Sequence, residues 1–262
     1  MKIATWNVNS IRARLPLVLA WLEQARPDVL LLQEIKCETP AFPREPFEQA
    51  GWHCAVAGQK GYHGVAILAR EPLAVVLDRL PGEAEDTQAR YLEATVAGVR
   101  IASLYLPNGN PADSEKFPYK LRWLERLHRR TREVLAEAVP LVLGGDFNVI
   151  PEAEDVYDPT AWAGDALFRT ESRRGFRALL NLGLIDALRT LQPHYPGAPP
   201  AYTFWDYQSG CWPRNLGLRI DHFLLSPQAA DRLLACTIDQ APRGWDKASD
   251  HTPVVLTLVG GA

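Results

Sequence analysis

Short apolar runs that end abruptly in polar residues alternate along this chain with longer segments whose apolar residues recur every three or four positions. Residues 2–6 form the first run and stop at Asn7-Val8-Asn9-Ser10, which predicts a strand placed inside a sheet from the start. Ser10 can cap a helix that starts directly after it. Leu15, Val18, Leu19 and Leu22 then fall at i, i+3, i+4 and i+7, an amphipathic helix closed by Pro27. Asp28 to Leu32 repeats the opening design and runs straight into Gln33-Glu34.

Residues 38–50 are proline-rich and read as a loop leading to a short helix. Strands are expected at Gly64–Ala69 and Leu73–Leu77. Tyr91 to Val96 alternates as a half-buried strand does, and Ala97-Gly98 predicts a hairpin turn into Val99–Leu106, which ends near Tyr105 and Asn108-Gly109. A long helix is predicted from about Pro118 to Ala138, with Leu121, Leu124 and Leu127 inward and Lys120, Arg122, Arg126, Arg129, Arg130 and Arg132 as its solvated face.

The run Leu141-Val142-Leu143 suits a strand buried on both faces. Gly144 and Gly145 allow another backbone to approach, and Asp146 and Asn148 follow two residues apart. If the strand continues, both point to one side; the same residue types also make a turn, and these positions alone leave the two readings equal. A helix is expected around Phe176, Leu179 and Leu180, ending near Gly183. Residues 197–217 form an aromatic loop, residues 219–225 enter a strand, and Ser249-Asp250-His251 precedes the last strand, Thr252–Val259. With no low-complexity linker, the whole chain, residues 1–262, reads as one α/β domain. Two packed, mostly antiparallel sheets with helices outside fit the hairpin signals better than a doubly wound parallel sheet.

Composition narrows the function classes without choosing one. A chain of 262 residues with 47% hydrophobic and 23% charged residues can bury a large core. Its formal net charge of -3 leaves room for a nucleic-acid partner, because a basic face matters more than the total. The four cysteines have no C-x-x-C spacing, which argues against a zinc site and a disulfide scaffold. No apolar run is long enough for a signal peptide or a membrane span, so a soluble, reduced, cytoplasmic protein is the default, and a monomer is expected.

The candidate chemistry sits at strand ends: Asn7, Glu34, Tyr105, Asp146 with Asn148, Asp221, and Asp250 with His251. Hard oxygen donors without cysteine point to Mg²⁺ or Mn²⁺, and a histidine among carboxylates can orient or polarise a phosphoryl oxygen. Metal-assisted hydrolysis of a phosphate ester follows from these residue types. The loop rings Tyr202, Phe204, Trp205, Tyr207 and Trp212, with Arg214 and Arg219 nearby, suit stacking on bases and pairing with phosphate, or equally a loop pinned to the core by its rings.

The blocks Thr5-Trp6-Asn7-Val8-Asn9, Leu32-Gln33-Glu34, Gly145-Asp146-Phe147-Asn148 and Ser249-Asp250-His251 resemble the signature set of the endonuclease/exonuclease/phosphatase superfamily. Within it, Gly58-Gln59-Lys60-Gly61, residues 105–109, Lys116-Phe117-Pro118, Phe204-Trp205-Asp206-Tyr207 and residues 217–222 resemble exodeoxyribonuclease III and its abasic-site endonuclease relatives. The resemblance implies a four-layered α/β sandwich acting on duplex DNA, by cleavage at abasic sites and 3′-to-5′ removal of nucleotides. It implies a metal group of Asn7, Glu34, Asp146, Asn148, Asp250 and His251. Catalytic roles would fall to Tyr105, Asp146 (activating water), Asn148, Asp221 (orienting) and His251. It further suggests DNA contacts at Lys60, Arg90, Asn108, Lys116, Trp205, Trp212 and Arg219. A phosphodiesterase of the same superfamily acting on a non-DNA substrate would carry a different insert at 197–217. A non-catalytic DNA-binding module would be expected to lack Asp146, Asn148 or His251.

Overall fold

A computed structural model describes residues 1–260. In chain order the elements are β1 (Lys2–Asn7), α1 (Ile11–Ala25), β2 (Val29–Gln33), α2 (Arg44–Gln49), β3 (His53–Ala57), β4 (Val65–Ala69), β5 (Leu73–Leu77), β6 (Tyr91–Val96) and β7 (Val99–Tyr105). They continue with α3 (Lys116–Ala136), β8 (Leu141–Asp146), α4 (Thr170–Leu180), β9 (Ile185–Asp186), α5 (Ala187–Leu191), β10 (Asp221–Leu225), α6 (Pro227–Ala230), β11 (Leu233–Ile238) and β12 (Val254–Leu258).

The strands form two six-stranded sheets, ordered β11-β12-β1-β2-β4-β3 and β5-β6-β7-β8-β10-β9. Among the described residues each is built around a single parallel pair, β1 with β2 and β7 with β8, and every other pairing is antiparallel. A parallel pair needs a crossover, supplied by α1 in the first sheet and α3 in the second. The carboxyl ends of each pair therefore leave on one side, and the register sets Asn7 beside Gln33 and Tyr105 beside Asp146. Two separate crossovers thus deliver the polar strand ends on which the site is built.

Alternation along β1 shows how the layers separate. Ile3 points between the sheets, where it joins Leu31, Ile67, Leu92, Ile101, Val142, Phe223 and Leu256. Ala4 and Trp6 point outward onto Val18, Trp21 and Leu22 of α1. On the far side, Trp123 and Leu127 of α3 and Phe176 of α4 cover the second sheet through Leu104, Leu143 and Leu224. The result is helix, sheet, sheet, helix, the sandwich expected. Gly145 explains how β8 fits against β7: a Cβ there would lie 1.9 Å from the Leu104 carbonyl oxygen, so only glycine permits the approach.

Two expectations need correction. β3 and β11 were not anticipated; both are sheet edges, and β11 carries Leu234 largely exposed, so neither alternates cleanly. The charged row of α3 is not wholly solvated either. Lys120 and Arg126 are buried, their heads bonded to backbone carbonyls, because each stem lies along the helix face that meets the second sheet and its loops. Among the described residues, no helix is long and apolar enough to cross a membrane.

Candidate active site

At the carboxyl end of the two parallel pairs, residues from both sheets converge on one cavity of about 270 Å³. Asp146 closes β8, and Asn148 follows in left-handed backbone, its N–H donating to Asp146 Oδ1 at 2.9 Å. The turn and the site are thus the same object: the turn bond fixes one carboxylate oxygen and aims Asn148 into the cavity. Asn9, Glu34 and Lys36 also adopt left-handed backbone at neighbouring strand ends. Such conformations are costly for non-glycine residues, and they gather here around the chemistry.

Asn7 bridges the two sheets. Its Nδ2 donates to Glu34 Oε2 and to Asp146 Oδ2, each at 3.0 Å, while its oxygen accepts from the Asn9 N–H. Two carboxylates are therefore held against one amide, and the cation closest to them is Lys36, 3.0 Å from Glu34 Oε1. Lys36 also donates to Asn9 Oδ1 at 2.6 Å, and Asn9 reaches Asp250 Oδ1 at 3.3 Å. Burial, more than anything else, raises Asp146 to about 7, against the pull of His251.

His251 follows the last turn before β12. Its Nδ1 donates to Asp221 Oδ2 at 2.8 Å and its Nε2 lies 3.7 Å from Asp146 Oδ2. Although burial opposes the charge, Asp221 and Asp146 push His251 up to about 10, so the ring is an imidazolium at neutral pH. Thr203 donates to Asp221 Oδ2 at 2.6 Å, while Asp221 Oδ1 is buried with no partner among the described residues. Phe204 lies edge-on to the His251 ring at 4.9 Å. Tyr105 is held well above the usual phenol range by burial and by the Glu34 and Asp146 carboxylates. Arg90 sits over its ring at 4.7 Å and donates to its carbonyl.

A divalent cation suits this donor set. Ligand atoms of Asp146 and Asp221 lie within 4.8 Å of each other, Asp221 has a buried oxygen with no partner among the described residues, and Glu34 adds a third hard carboxylate beside Asp146, while His251, as an imidazolium, supplies charge and no lone pair. Asn7 and Asn148, both expected as metal residues, turn their oxygens elsewhere: Asn7 to Asn9, Asn148 to the Asn108 carboxamide. Here they brace the carboxylates.

The residues expected at the DNA face divide. Lys60 and Lys116 are exposed, Asn108 is exposed and bonded to Asn148, and Trp212 is half-buried on the loop 197–217. Arg90 is nearly buried behind Tyr105. Trp205 and Arg219 must be corrected. Trp205 is fully buried, donating to Asn215 and packed edge-on against Trp212, so its ring pins the loop. Arg219 is 1% exposed and grips Asp155 and Asp186, each at 2.8 Å. Neither side chain can touch a duplex.

Sequence reasoning missed Lys36, Thr203 and Lys120. Lys36 had a signal in its position two residues past Glu34. Thr203 and Lys120 had none, since a loop threonine and a lysine in a basic helix look ordinary. The cavity's apolar wall, formed by Trp162, Leu167, Phe204, Leu218 and Ile220, was likewise only partly visible.

Residues 4–251 match the family described as Endonuclease/Exonuclease/phosphatase. The chain is 34% identical to exodeoxyribonuclease III of Haemophilus influenzae over 97% of its own length and 98% of that protein's. It is also 34% identical to DNA repair nuclease APEX1 of Danio rerio, over 98% of this chain and 82% of that one. Among solved structures, it is similar to the 3′ phosphatase NExo from Neisseria bound to a product DNA hairpin, at 41% identity and a TM-score of 0.95, over 99% and 100% of the two chains. An AP endonuclease from Archaeoglobus fulgidus matches at 40% identity and a TM-score of 0.93, over 98% of this chain and 99% of that one.

Proposed function

The chain belongs to the endonuclease/exonuclease/phosphatase family and is a DNA-repair nuclease, and from that premise we propose that it cleaves duplex DNA 5′ to abasic sites and removes nucleotides 3′ to 5′. It acts as a cytoplasmic monomer with Mg²⁺ or Mn²⁺, on a single domain.

Supporting this reading is the meeting of a high-pKa carboxylate, Asp146, with an imidazolium held by a second carboxylate, Asp221, in one cleft. Asp146 is the group to take a proton from the attacking water, because a carboxyl raised to about 7 is basic enough to accept it at neutral pH. His251, kept charged and fixed by Asp221, meets a non-bridging phosphoryl oxygen. Asn148 presents its carboxamide at the same phosphate, positioned by Leu106 O and Asn108. Tyr105, which lines the cavity and holds its proton tightly, gives a hydrogen bond to the leaving oxygen. Glu34, with Asn7 bonded beside it and Asp250 lining the same cavity, would hold the divalent cation, which would supply neutralisation of phosphate charge.

One observation favours a second reading, removal of a terminal 3′ phosphate. A relative 41% identical is described as a 3′ phosphatase. The chemistry is the same attack with a different leaving group.

One gel separates these readings: an abasic duplex, an undamaged blunt duplex, a nicked duplex ending in 3′ phosphate, and an RNA, each with Mg²⁺, Mn²⁺ or EDTA. Cleavage of the abasic duplex with metal and none in EDTA is expected. Metal-dependent loss of 3′ phosphate alone would replace the first reading by the second, and no turnover of any DNA would defeat both.

A further inference from the structure

Lys120 lies on α3, outside the cluster of carboxylates and imidazolium, yet its ammonium group is completely buried behind the cavity. Nζ donates to three backbone carbonyls: Asn148 O at 2.5 Å, Asn108 O at 3.0 Å and Ala166 O at 3.2 Å. These belong to three different segments, following β7, following β8 and preceding α4, and each segment lines the cavity. An ammonium has three donors and no acceptor, so the match between donors and carbonyls is complete. The stem is seated as closely: a Cβ on Gly109 would come 2.7 Å from Lys120 Cδ.

The polar side chains of those segments are tied to one another in the same place. Asn108 Nδ2 donates to Asn148 Oδ1 at 3.2 Å, Asn148 Nδ2 donates to Leu106 O at 2.9 Å, and Asn110 Nδ2 donates to the Asp165 carboxylate at 3.1 Å. Asn110 Oδ1 in turn accepts from the Ala166 N–H at 3.1 Å. Burying a lysine is costly even when its hydrogen bonds are complete, and a methionine would fill the same volume. What a methionine would not do is hold three carbonyls at one point.

We propose that Lys120 is a positioning residue for phosphodiester hydrolysis: its ammonium ties the Asn108, Asn148 and Ala166 segments together and so fixes the Asn148 carboxamide at the scissile phosphate. This rests on the hydrolytic reading of the cavity. It requires no contact between Lys120 and DNA.

The test compares the full-length wild type with Lys120→Met and Lys120→Arg, each confirmed as folded by thermal melting. Asparagine-selective ¹⁵N labelling of seven asparagines resolves the Asn108 and Asn148 carboxamides without any turnover. In the wild type these should exchange slowly with solvent; in Lys120→Met they should exchange at least tenfold faster. On the substrate the wild type cleaves, kcat of Lys120→Met should fall at least a hundredfold while KM, and DNA affinity in EDTA, stay within threefold. Lys120→Arg, which restores charge and donors, should recover kcat to within tenfold of wild type. Should Lys120→Met not fold, Lys120→Gln, which keeps two donors, is read instead and should lose at least tenfold in kcat at unchanged KM. Slow carboxamide exchange in a folded neutral variant would overturn the proposal, as would a loss that falls equally on DNA affinity. An inert wild type would defeat the hydrolytic reading, and the exchange experiment would still report on the tether.

Discussion

Asp146 and Asp155 are both almost entirely buried, and their surroundings act on them in opposite directions. Asp155 receives two N–H groups from Arg219, a third from Arg189 and the Glu152 backbone N–H, and these cations hold its carboxyl well below the usual range. Its neighbour Asp186 shares Arg219 and is also lowered. Asp146 has two amides and an imidazolium 3.7 Å away, and burial prevails, raising it to about 7. Asp221 beside it leaves one oxygen without a partner among the described residues. The difference is the supply of donors. A carboxylate saturated by guanidinium groups is a clamp, here fastening the segment after β8 to the start of β10. A carboxylate left short of donors keeps its basicity and an open coordination side for water and a cation.

The largest effect should come from weakening the under-supplied cluster. Asp221→Asn is expected to lower kcat by a factor on the order of 10³–10⁴, because His251 loses the charge that keeps it protonated, while the urea midpoint moves little. Steady-state cleavage and urea unfolding on one preparation check both halves, and a large shift of the midpoint would make Asp221 structural.

The clamp should respond the other way. Arg219→Met takes two of the four N–H donors from Asp155 and the guanidinium from Asp186 and should cost about 3–5 kcal/mol of stability, with kcat of the folded variant within about threefold of wild type at low temperature. If DNA affinity fell while stability held, Arg219 would belong to the DNA face after all.

A smaller effect concerns pH. His222 accepts from Arg219 at Nδ1 and donates from Nε2 to Val149 O, and burial beside that guanidinium lowers it from 6.5 to about 4. Between those values the unfolded chain binds the extra proton, so stability rises with pH from 4 to 6.5 and is lost as pH falls through that window. The slope from this residue approaches about 1.4 kcal/mol per pH unit at most. His222→Gln should flatten the profile of urea midpoint against pH across that window, and an unchanged slope would exclude His222 as its source.

How far the sequence led differs between the two clusters for the same reason. Glu34 and Asp146 stood out because a buried strand that ends in a charge contrasts with its apolar run, Asp221 and His251 because they stand where a strand is entered, and the two sheets followed from the hairpin signals. Arg219 and Trp205 were misplaced because an aromatic loop with arginines reads alike whether its side chains face DNA or the interior. Asp155 drew no notice, since its partners come from 34 and 64 residues further on. Lys120 was hidden by its own helix: among so many basic residues, nothing local distinguishes the one that turns inward. The left-handed backbone at Glu34 had no signal, whereas Asn9 and Asn148 are of the residue type that, after glycine, adopts it most often.

The contrast is tested most directly by the same substitution made twice. Asp146→Asn and Asp155→Asn are each measured by urea unfolding and by single-turnover cleavage of DNA with Mg²⁺. Asp146→Asn should leave stability equal or slightly higher and reduce the cleavage rate by a factor on the order of 10³ or more, whereas Asp155→Asn should cost about 3–5 kcal/mol of stability and leave the cleavage rate of the folded protein nearly unchanged. Equal loss of stability in the two variants, or cleavage by Asp146→Asn within tenfold of wild type, would contradict the division between clamp and catalytic centre.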